Sequence, residues 1–336
     1  MDFSTRAALF LGLALVQGAG CASLKLTLVN ASVQKPSNVA LYFAAETSAG
    51  VPVAGLDAKG FRIYEDGHLI SPYESKQTIL NPEIAVAHYI VLLLDVSGSI
   101  TESGSLETLV GAASRFADKV SKRQKVAVFG FEGGKRLIPV TGFTSSPAAI
   151  KGGLRRLASR KSRDSSTNLN GAVVEALAVL KNKLKASSQP LRFATLVVFT
   201  DGTDRAHRVS VEKMHEAVDK AAVNVFVIGL GVEIDKKELA RLGRDGFVTA
   251  QEGADVAGAF DEVARRIEAA SKKFYLLSYC SPSRAGDHKL RVELKAMGQS
   301  GSLEHDFAAA GFGPRCNPNR KPRFSVHNIK LAPHPR

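Results

Sequence analysis

The sequence lacks the short motifs that mark common catalytic sites. It contains neither His-Glu-x-x-His nor Gly-x-Ser-x-Gly, and its eight histidines are scattered without metal-binding spacing. Gly134-Lys135 has neither the earlier glycine spacing nor the following Ser or Thr of a phosphate-binding loop. Asp95 could resemble a phosphatase nucleophile, but Ser97 stands where such enzymes have a second aspartate. We therefore expect that the chain is not an enzyme.

No apolar run near the N-terminus is long enough to cross a bilayer. Arg6 precedes an apolar stretch of ten residues, 7–16, which is too short for a membrane-spanning helix. Small residues then precede Cys21, so residues 1–20 are predicted to be a secretory signal. A small residue before a cysteine is also typical of bacterial lipoprotein signals, although Gly18 departs from that pattern. We expect lipidation of Cys21 and anchoring to the outer membrane; an ordinary cleaved signal is the alternative.

Cysteine is scarce, since only Cys280 and Cys316 follow Cys21. In an exported protein these two are expected to form a disulfide, with two free thiols as the alternative. The net charge is +13, and for an exported chain it favours anionic envelope polymers, lipid headgroups or acidic protein surfaces over nucleic acid. Residues 313–336 contain six Lys or Arg, no acid and five prolines. This composition predicts a basic, Pro-rich and poorly ordered tail.

Periodic patterns divide the rest of the chain into three parts. Residues 21–87 contain short strand candidates and an Asp66-Gly67 hairpin signal, without helical periodicity. Residues 88–272 alternate doubly apolar strands with amphipathic helices, and Asp255 is expected to cap the last helix. This alternation predicts an α/β fold with a doubly wound, mostly parallel sheet. Residues 273–312 contain two more strand candidates, which are expected to join the N-terminal segment in a small accessory β domain.

Oxygen-bearing side chains follow the apolar strands of the α/β region. Asp95, Ser97 and Ser99 form Asp-x-Ser-x-Ser after one strand. Thr167 lies in a polar loop, and Asp201 follows a second strand in Thr-Asp-Gly. Sheets of this kind place ligand sites at the carboxyl ends of their strands, and ligands that offer only oxygen suit a hard divalent cation such as Mg²⁺. The alternative is that these residues only cap the helices that follow.

With these three motifs in this order, residues 88–272 resemble a von Willebrand factor type A domain. The flanking segments 61–67, 275–279 and 289–294 resemble those of bacterial proteins that add a small β domain to this core. The resemblance implies a metal-ion-dependent adhesion site for Mg²⁺, Mn²⁺ or Ca²⁺. It also implies that the three hydroxyl groups contact the metal, whereas the two aspartates act largely through water or by holding those hydroxyls.

An adhesion or protein-binding module of the cell envelope is the function that this resemblance implies. Two carboxylates only balance the charge of a divalent ion, so an open coordination position would attract the Asp or Glu of a protein ligand. The protein is expected in the outer membrane, in the periplasm or at the cell surface. The alternative is an envelope assembly or scaffolding protein that binds its partners without metal. Basic residues between 155 and 163 either attract an acidic ligand or stabilise a helix end.

Overall fold

The structure is a computed structural model that describes residues 23–82, 85–102, 104–231, 234–325 and 327–329. The predicted signal and Cys21 lie outside the described residues. The strands are β1 (Leu24–Gln34), β2 (Asn38–Thr47), β3 (Phe61–Glu65), β4 (His68–Leu69), β5 (Thr78–Leu80), β6 (Val86–Asp95), β7 (Lys125–Phe131), β8 (Ile138–Thr144), β9 (Leu191–Thr200), β10 (Asn224–Leu230), β11 (Gly246–Ala250), β12 (Phe274–Cys280), β13 (Asp287–Ala296), β14 (Gln299–Ala308) and β15 (His327–Ile329). The helices are α1 (Pro72–Ser75), α2 (Gly98–Glu102), α3 (Ser105–Val120), α4 (Pro147–Ala158), α5 (Leu169–Lys185), α6 (Val211–Lys220), α7 (Lys236–Leu242) and α8 (Gly253–Lys272).

The central sheet has the strand order β11-β10-β9-β6-β7-β8, and β15 pairs with the first residues of β9. Its neighbouring strands run parallel except β8, which is antiparallel to β7. Helices α3, α4 and α8 cover one face, and α5, α6 and α7 cover the other. This double cover explains why β6 and β9 are apolar on both sides. The predicted α/β fold with a doubly wound, mostly parallel sheet is confirmed.

The start of α8 differs from the prediction that Asp255 caps this helix. Glu252 is the N-cap residue, and Asp255 lies three residues further along. The Asp255 carboxylate accepts the backbone N–H of Glu252 at 3.3 Å, as in a capping box. Asp255 therefore stabilises the helix start from inside the first turn.

Among the described residues, no helix combines the length and apolarity that a membrane span requires.

The N-terminal and C-terminal segments together form an accessory unit of two four-stranded sheets. One sheet has the order β1-β2-β12-β5 and the other β14-β13-β3-β4, so each contains strands from both ends of the chain. Phe43 and Leu277 from the first sheet pack against Phe61, Ile63 and Val292 from the second. Strand β14 was not predicted, because within its ten residues only Leu303 and Phe307 are buried apolar side chains.

The accessory unit contacts the amino-terminal end of the central sheet. Phe274 of β12 stacks on Tyr42 of β2, with ring centroids 5.5 Å apart, and lies 5.0 Å from the ring of Phe193 near the start of β9. Leu191, the first residue of β9, belongs to the same buried cluster. The carboxyl ends of the central strands are therefore at the opposite edge of the sheet.

The prediction of a poorly ordered tail is wrong for residues 313–325. Cys316 is joined to Cys280 at the end of β12 by a disulfide. Asn30 donates from its side chain to the carbonyl of Ser325 at 3.1 Å, and Phe324 is buried against Tyr42. A covalent link and distant hydrogen-bond partners order this segment, and composition alone does not reveal either of them.

Candidate functional site

The candidate site lies where the strand order of the central sheet reverses. The chain continues from β6 to β7 on one side, whereas β9 pairs with β6 on the other side. Asp95, the last residue of β6, is aligned with Phe131 of β7, and the preceding Leu94 is aligned with Phe199 of β9. Doubly wound sheets bind their ligands in the crevice at this reversal point. Asp95 and the residues that follow β9 therefore share one crevice.

Asp95 is fully buried at the base of this crevice. One carboxylate oxygen accepts the backbone N–H of Ser97 at 3.0 Å, and the other accepts the hydroxyl of Thr200 at 2.7 Å. Burial, together with the negative charge of nearby Asp201, raises the pKa of Asp95 to about 7 although both hydrogen bonds favour the carboxylate. Asp95 is thus a buried acid whose negative charge is poorly compensated by the protein.

The two serines of the motif follow Asp95 in a tight turn into α2. Ser97 is buried and Ser99 is exposed, and their hydroxyl oxygens lie 3.4 Å apart. Gly98 between them lies against Ser165, where an added Cβ would be only 2.6 Å from the Ser165 Cβ. Its backbone N–H donates to the Ser165 carbonyl at 3.1 Å. Glycine at this position therefore allows the serine turn to contact the loop that carries Thr167.

The loop that carries Thr167 is bonded to the loop after β9 as well. Thr167 is buried, and its carbonyl accepts the backbone N–H groups of Arg205 at 2.9 Å and Ala206 at 3.0 Å. Asp201 lies at the start of this last loop and is partly exposed. All three predicted segments therefore meet at one edge of the sheet. The five residues Asp95, Ser97, Ser99, Thr167 and Asp201 lie on these three mutually bonded segments.

Three supporting residues were missed by the sequence analysis. Thr200 holds the Asp95 carboxylate through its hydroxyl. Asn168 caps α5 by accepting the Gly171 N–H at 3.2 Å, and its side-chain amide donates to the Gly134 carbonyl at 2.8 Å. Buried Glu132 accepts hydrogen bonds from the side chains of Arg160 and Ser162. Only Asn168 has a signal in the sequence, because it precedes an apolar helical pattern as an N-cap.

The donor set of this edge fits a hard divalent cation. No group of three or more His, Cys, Asp or Glu side chains that could hold a metal occurs in the described part of the chain. The candidate ligands are instead two acids and three neutral hydroxyls. A divalent cation would compensate the charges of Asp95 and Asp201, and all five groups offer the oxygen ligands that Mg²⁺ prefers.

The family comparison covers the residues that carry this site. Residues 90–203 match the family model for the von Willebrand factor type A domain. This match includes all five candidate residues. A search of curated protein sequences finds no match.

Several solved structures are similar to the chain. The proximal thread matrix protein 1 of the mussel byssus is 18% identical, with a TM-score of 0.43, and the alignment covers 61% of this chain. The chain spans about half of that protein, 49% of its length. A von Willebrand factor type A protein from Catenulispora acidiphila is 13% identical, with coverage of 86% and 73% and a TM-score of 0.44. The pilus adhesin SpaC from Lactobacillus rhamnosus GG is 10% identical, with coverage of 85% and 47% and a TM-score of 0.44. At these identities and TM-scores the likeness indicates a similar fold and assigns no function to this chain.

Proposed function

We propose that the protein is a metal-dependent adhesion or protein-binding module whose site holds Mg²⁺ or a similar ion such as Mn²⁺ or Ca²⁺. One observation carries the proposal: Asp95 is fully buried, and in the described part of the chain its carboxylate accepts only from neutral donors, the Ser97 N–H and the Thr200 hydroxyl. Nearby Asp201 adds to the effect of burial in raising the pKa of Asp95. Within the described residues, neither carboxylate forms an ion pair with a Lys, Arg or His side chain. A bound divalent cation is the simplest source of the missing positive charge.

Each candidate residue has a distinct role in this proposal. The hydroxyls of Ser97, Ser99 and Thr167 would hold the ion, and the carboxylates of Asp95 and Asp201 would balance its charge. When bound, the ion supplies a positive centre for a carboxylate of the partner protein. Ser99 is exposed, so this side of the site is open to a ligand. Buried Asp95, which bonds Ser97 and Thr200, keeps the serine turn in place.

The remaining predictions extend this proposal to the whole protein. We propose export to the cell envelope with a lipid anchor at Cys21, which mass spectrometry of the mature N-terminus would test. We also propose that the protein has no catalytic activity of its own. A scaffolding protein that binds its partners without metal is the competing function. Capture of partners from native envelope extracts separates the two, since only the metal-dependent module loses its partner in EDTA.

The metal claim is tested by isothermal titration calorimetry with Mg²⁺. The wild type should show saturable binding, and Asp95→Ala should abolish it because the buried charge that the ion compensates is gone. Asp306→Ala is the matched control, since it removes an exposed aspartate from β14 in the accessory unit. If Asp95→Ala, folded by circular dichroism, binds Mg²⁺ as the wild type does, the proposed site is wrong.

A further inference from the structure

Three segments around the candidate site carry a surplus of positive charge. They are residues 132–137, which follow β7, residues 159–168, which contain Thr167, and residues 201–208, which follow β9. Together they contain seven Lys or Arg residues and four Asp or Glu residues. The fourth segment of the site, residues 95–102, adds Asp95 and Glu102 and no Lys or Arg, so the positive surplus belongs to these three segments.

Most acids of these segments are already used by internal contacts. Glu132 pairs with Arg160 at 3.1 Å, and Asp164 pairs with Arg208 at 3.3 Å. Asp204 accepts two backbone N–H groups, at 3.1 Å and 2.8 Å, which fix the loop after β9. Asp201 is the second acid of the candidate site and raises the pKa of Asp95. These contacts leave no spare acid to neutralise the other cations of the three segments.

Five cations remain, and we call them the basic rim: Lys135, Arg136, Lys161, Arg163 and Arg205. All five are exposed. In the described ranges, none of their side chains forms a hydrogen bond or an ion pair. Unpaired cations on an exposed surface attract anionic partners and repel basic ones.

Backbone hydrogen bonds hold the rim segments close to the site. The N–H of Arg205 donates to the carbonyl of Thr167, itself a candidate ligand, at 2.9 Å. Ser165, two residues after Arg163, accepts the N–H of Gly98 at 3.1 Å. Gly134, the neighbour of Lys135, accepts the side-chain amide of Asn168 at 2.8 Å. The basic rim therefore approaches the site from three separate segments.

We infer that the ligand is an acidic protein segment, in which the carboxylate bound to the metal is flanked by further Asp or Glu residues. This inference rests on the proposed function, because it names the partner of the same site. A single metal position takes one carboxylate, and unpaired cations on three neighbouring segments favour additional negative charge close to it. An extended polyanion would instead match a continuous basic track along the surface. The rim cations instead come from three separate loop segments that are hydrogen-bonded to the site segments or to each other.

Two labelled peptides of about ten residues test the inference by fluorescence polarisation in Mg²⁺. One contains a single Glu among Gly and Ser, and the other contains four adjacent Glu residues. At low salt the second peptide should bind at least ~10-fold more tightly, and salt should reduce the difference because it screens exposed charges. Equal affinity for the two peptides at low salt would overturn the inference.

A pair of triple variants tests whether the basic rim causes the preference for the acidic peptide. Lys135→Glu/Lys161→Glu/Arg163→Glu reverses three rim charges, and Lys25→Glu/Lys59→Glu/Lys181→Glu reverses three exposed charges elsewhere. Both variants change the net charge equally. The rim variant should lose the preference for the acidic peptide while still binding Mg²⁺, and the control should keep it. If the rim variant binds the acidic peptide as the wild type does, the rim is not the binding surface.

Two further measurements separate the possible failures. If calorimetry detects no Mg²⁺ binding by the wild type, the proposed function is wrong, and the inference fails with it. Mg²⁺ binding without a peptide preference would refute the inference alone. Tight binding of polyphosphate in EDTA, abolished in the rim variant, would assign the rim to an anionic polymer and contradict an acidic protein segment.

Discussion

Two regions of the molecule bury a carboxylate among hydroxyl groups, and they differ in how the negative charge is compensated. In the accessory unit, Glu65 is buried and accepts the hydroxyls of Tyr279 at 2.9 Å, Ser281 at 3.1 Å and Ser283 at 2.6 Å. At the edge of the central sheet, Asp95 is buried with the Thr200 hydroxyl and one backbone N–H. Buried acids with hydroxyl neighbours are therefore not enough to identify a metal site.

The difference lies in the second acid beside each buried carboxylate. Asp66 follows Glu65 directly and pairs with His288 at 2.7 Å, and both acids raise the pKa of this histidine, so the accessory unit places a titratable basic group beside its acids. Asp201 lies near Asp95, and no Lys, Arg or His of the described residues forms an ion pair with either acid. The acids of the accessory unit thus have partners within the fold, whereas under the proposed function those of the site are compensated by a bound ion.

The largest expected effect is on the pH dependence of the metal-free protein. The pKa of Asp95 is raised from 3.8 to about 7, so the protonated form is favoured in the folded state. The free energy of unfolding should therefore fall as the pH rises from about 4 to about 7, by up to ~4 kcal/mol. Denaturant unfolding in EDTA across this range measures it. Mg²⁺ should restore the stability at high pH.

Asp95→Asn tests whether the buried charge destabilises the fold, because it removes the charge of the side chain and keeps its shape. The amide can still accept the Ser97 N–H and can donate to Thr200. At pH 8 in EDTA the variant should be more stable than the wild type by ~2 kcal/mol or more, since no buried charge faces Asp201. Mg²⁺ should no longer stabilise it. A variant less stable than the metal-free wild type at this pH would show that the fold already compensates Asp95.

Glu65→Gln should change the free energy of unfolding in the opposite direction and destabilise the protein. The neutral amide replaces the charge-assisted hydrogen bonds that the three hydroxyl groups donate to the carboxylate with weaker ones, and any hydroxyl that faces the amide NH2 must accept and loses the acceptor for its own hydrogen. We expect a loss of about 1–3 kcal/mol in denaturant unfolding, with Mg²⁺ binding unchanged in calorimetry. Stabilisation by this substitution would mean that Glu65 is as poorly compensated as Asp95, and the contrast between the two regions would disappear.

The smallest effect is expected at the pair of His288 and Asp66. The Asp66 carboxylate raises the pKa of His288, whose other ring nitrogen faces the carbonyl of Ala285 at 2.8 Å. The stability from this pair is present below the ordinary histidine pKa and is lost as the pH rises through the raised value. His288→Gln should remove this decrease of the free energy of unfolding with pH above neutral pH, measured by denaturant unfolding at several pH values. An unchanged slope would assign the pH dependence to another group.

The fold was predictable where local patterns and tertiary packing agree. Strands β6 and β9 are continuous apolar runs because helices cover both faces, and the acids that follow them mark the carboxyl edge. Asp66 and Gly67 both have positive φ, as the Asp-Gly hairpin signal indicates. Each of these features depends on a few neighbouring residues, so a local sequence pattern is enough to predict it.

Features that depend on partners distant in the chain could not be predicted from the sequence. The order of residues 313–325 was mispredicted because it depends on Cys280 and on strands far away in the sequence; residues 326 and 330–336 of the predicted tail lie outside the described residues. Thr200 and Glu132 support the site through hydrogen bonds that only the folded chain creates. The five candidate ligands followed from their motifs, but the bonds that join their three loops did not. The basic rim likewise emerges only when the paired cations are separated from the unpaired ones.

The most direct test is a crystal structure grown with Mn²⁺ and measured for anomalous scattering. We expect one strong anomalous peak among the side chains of Asp95, Ser97, Ser99, Thr167 and Asp201, and no peak there in an Asp95→Ala crystal. A wild-type crystal with full-length side-chain density at these residues and no peak between them would contradict the proposed metal site.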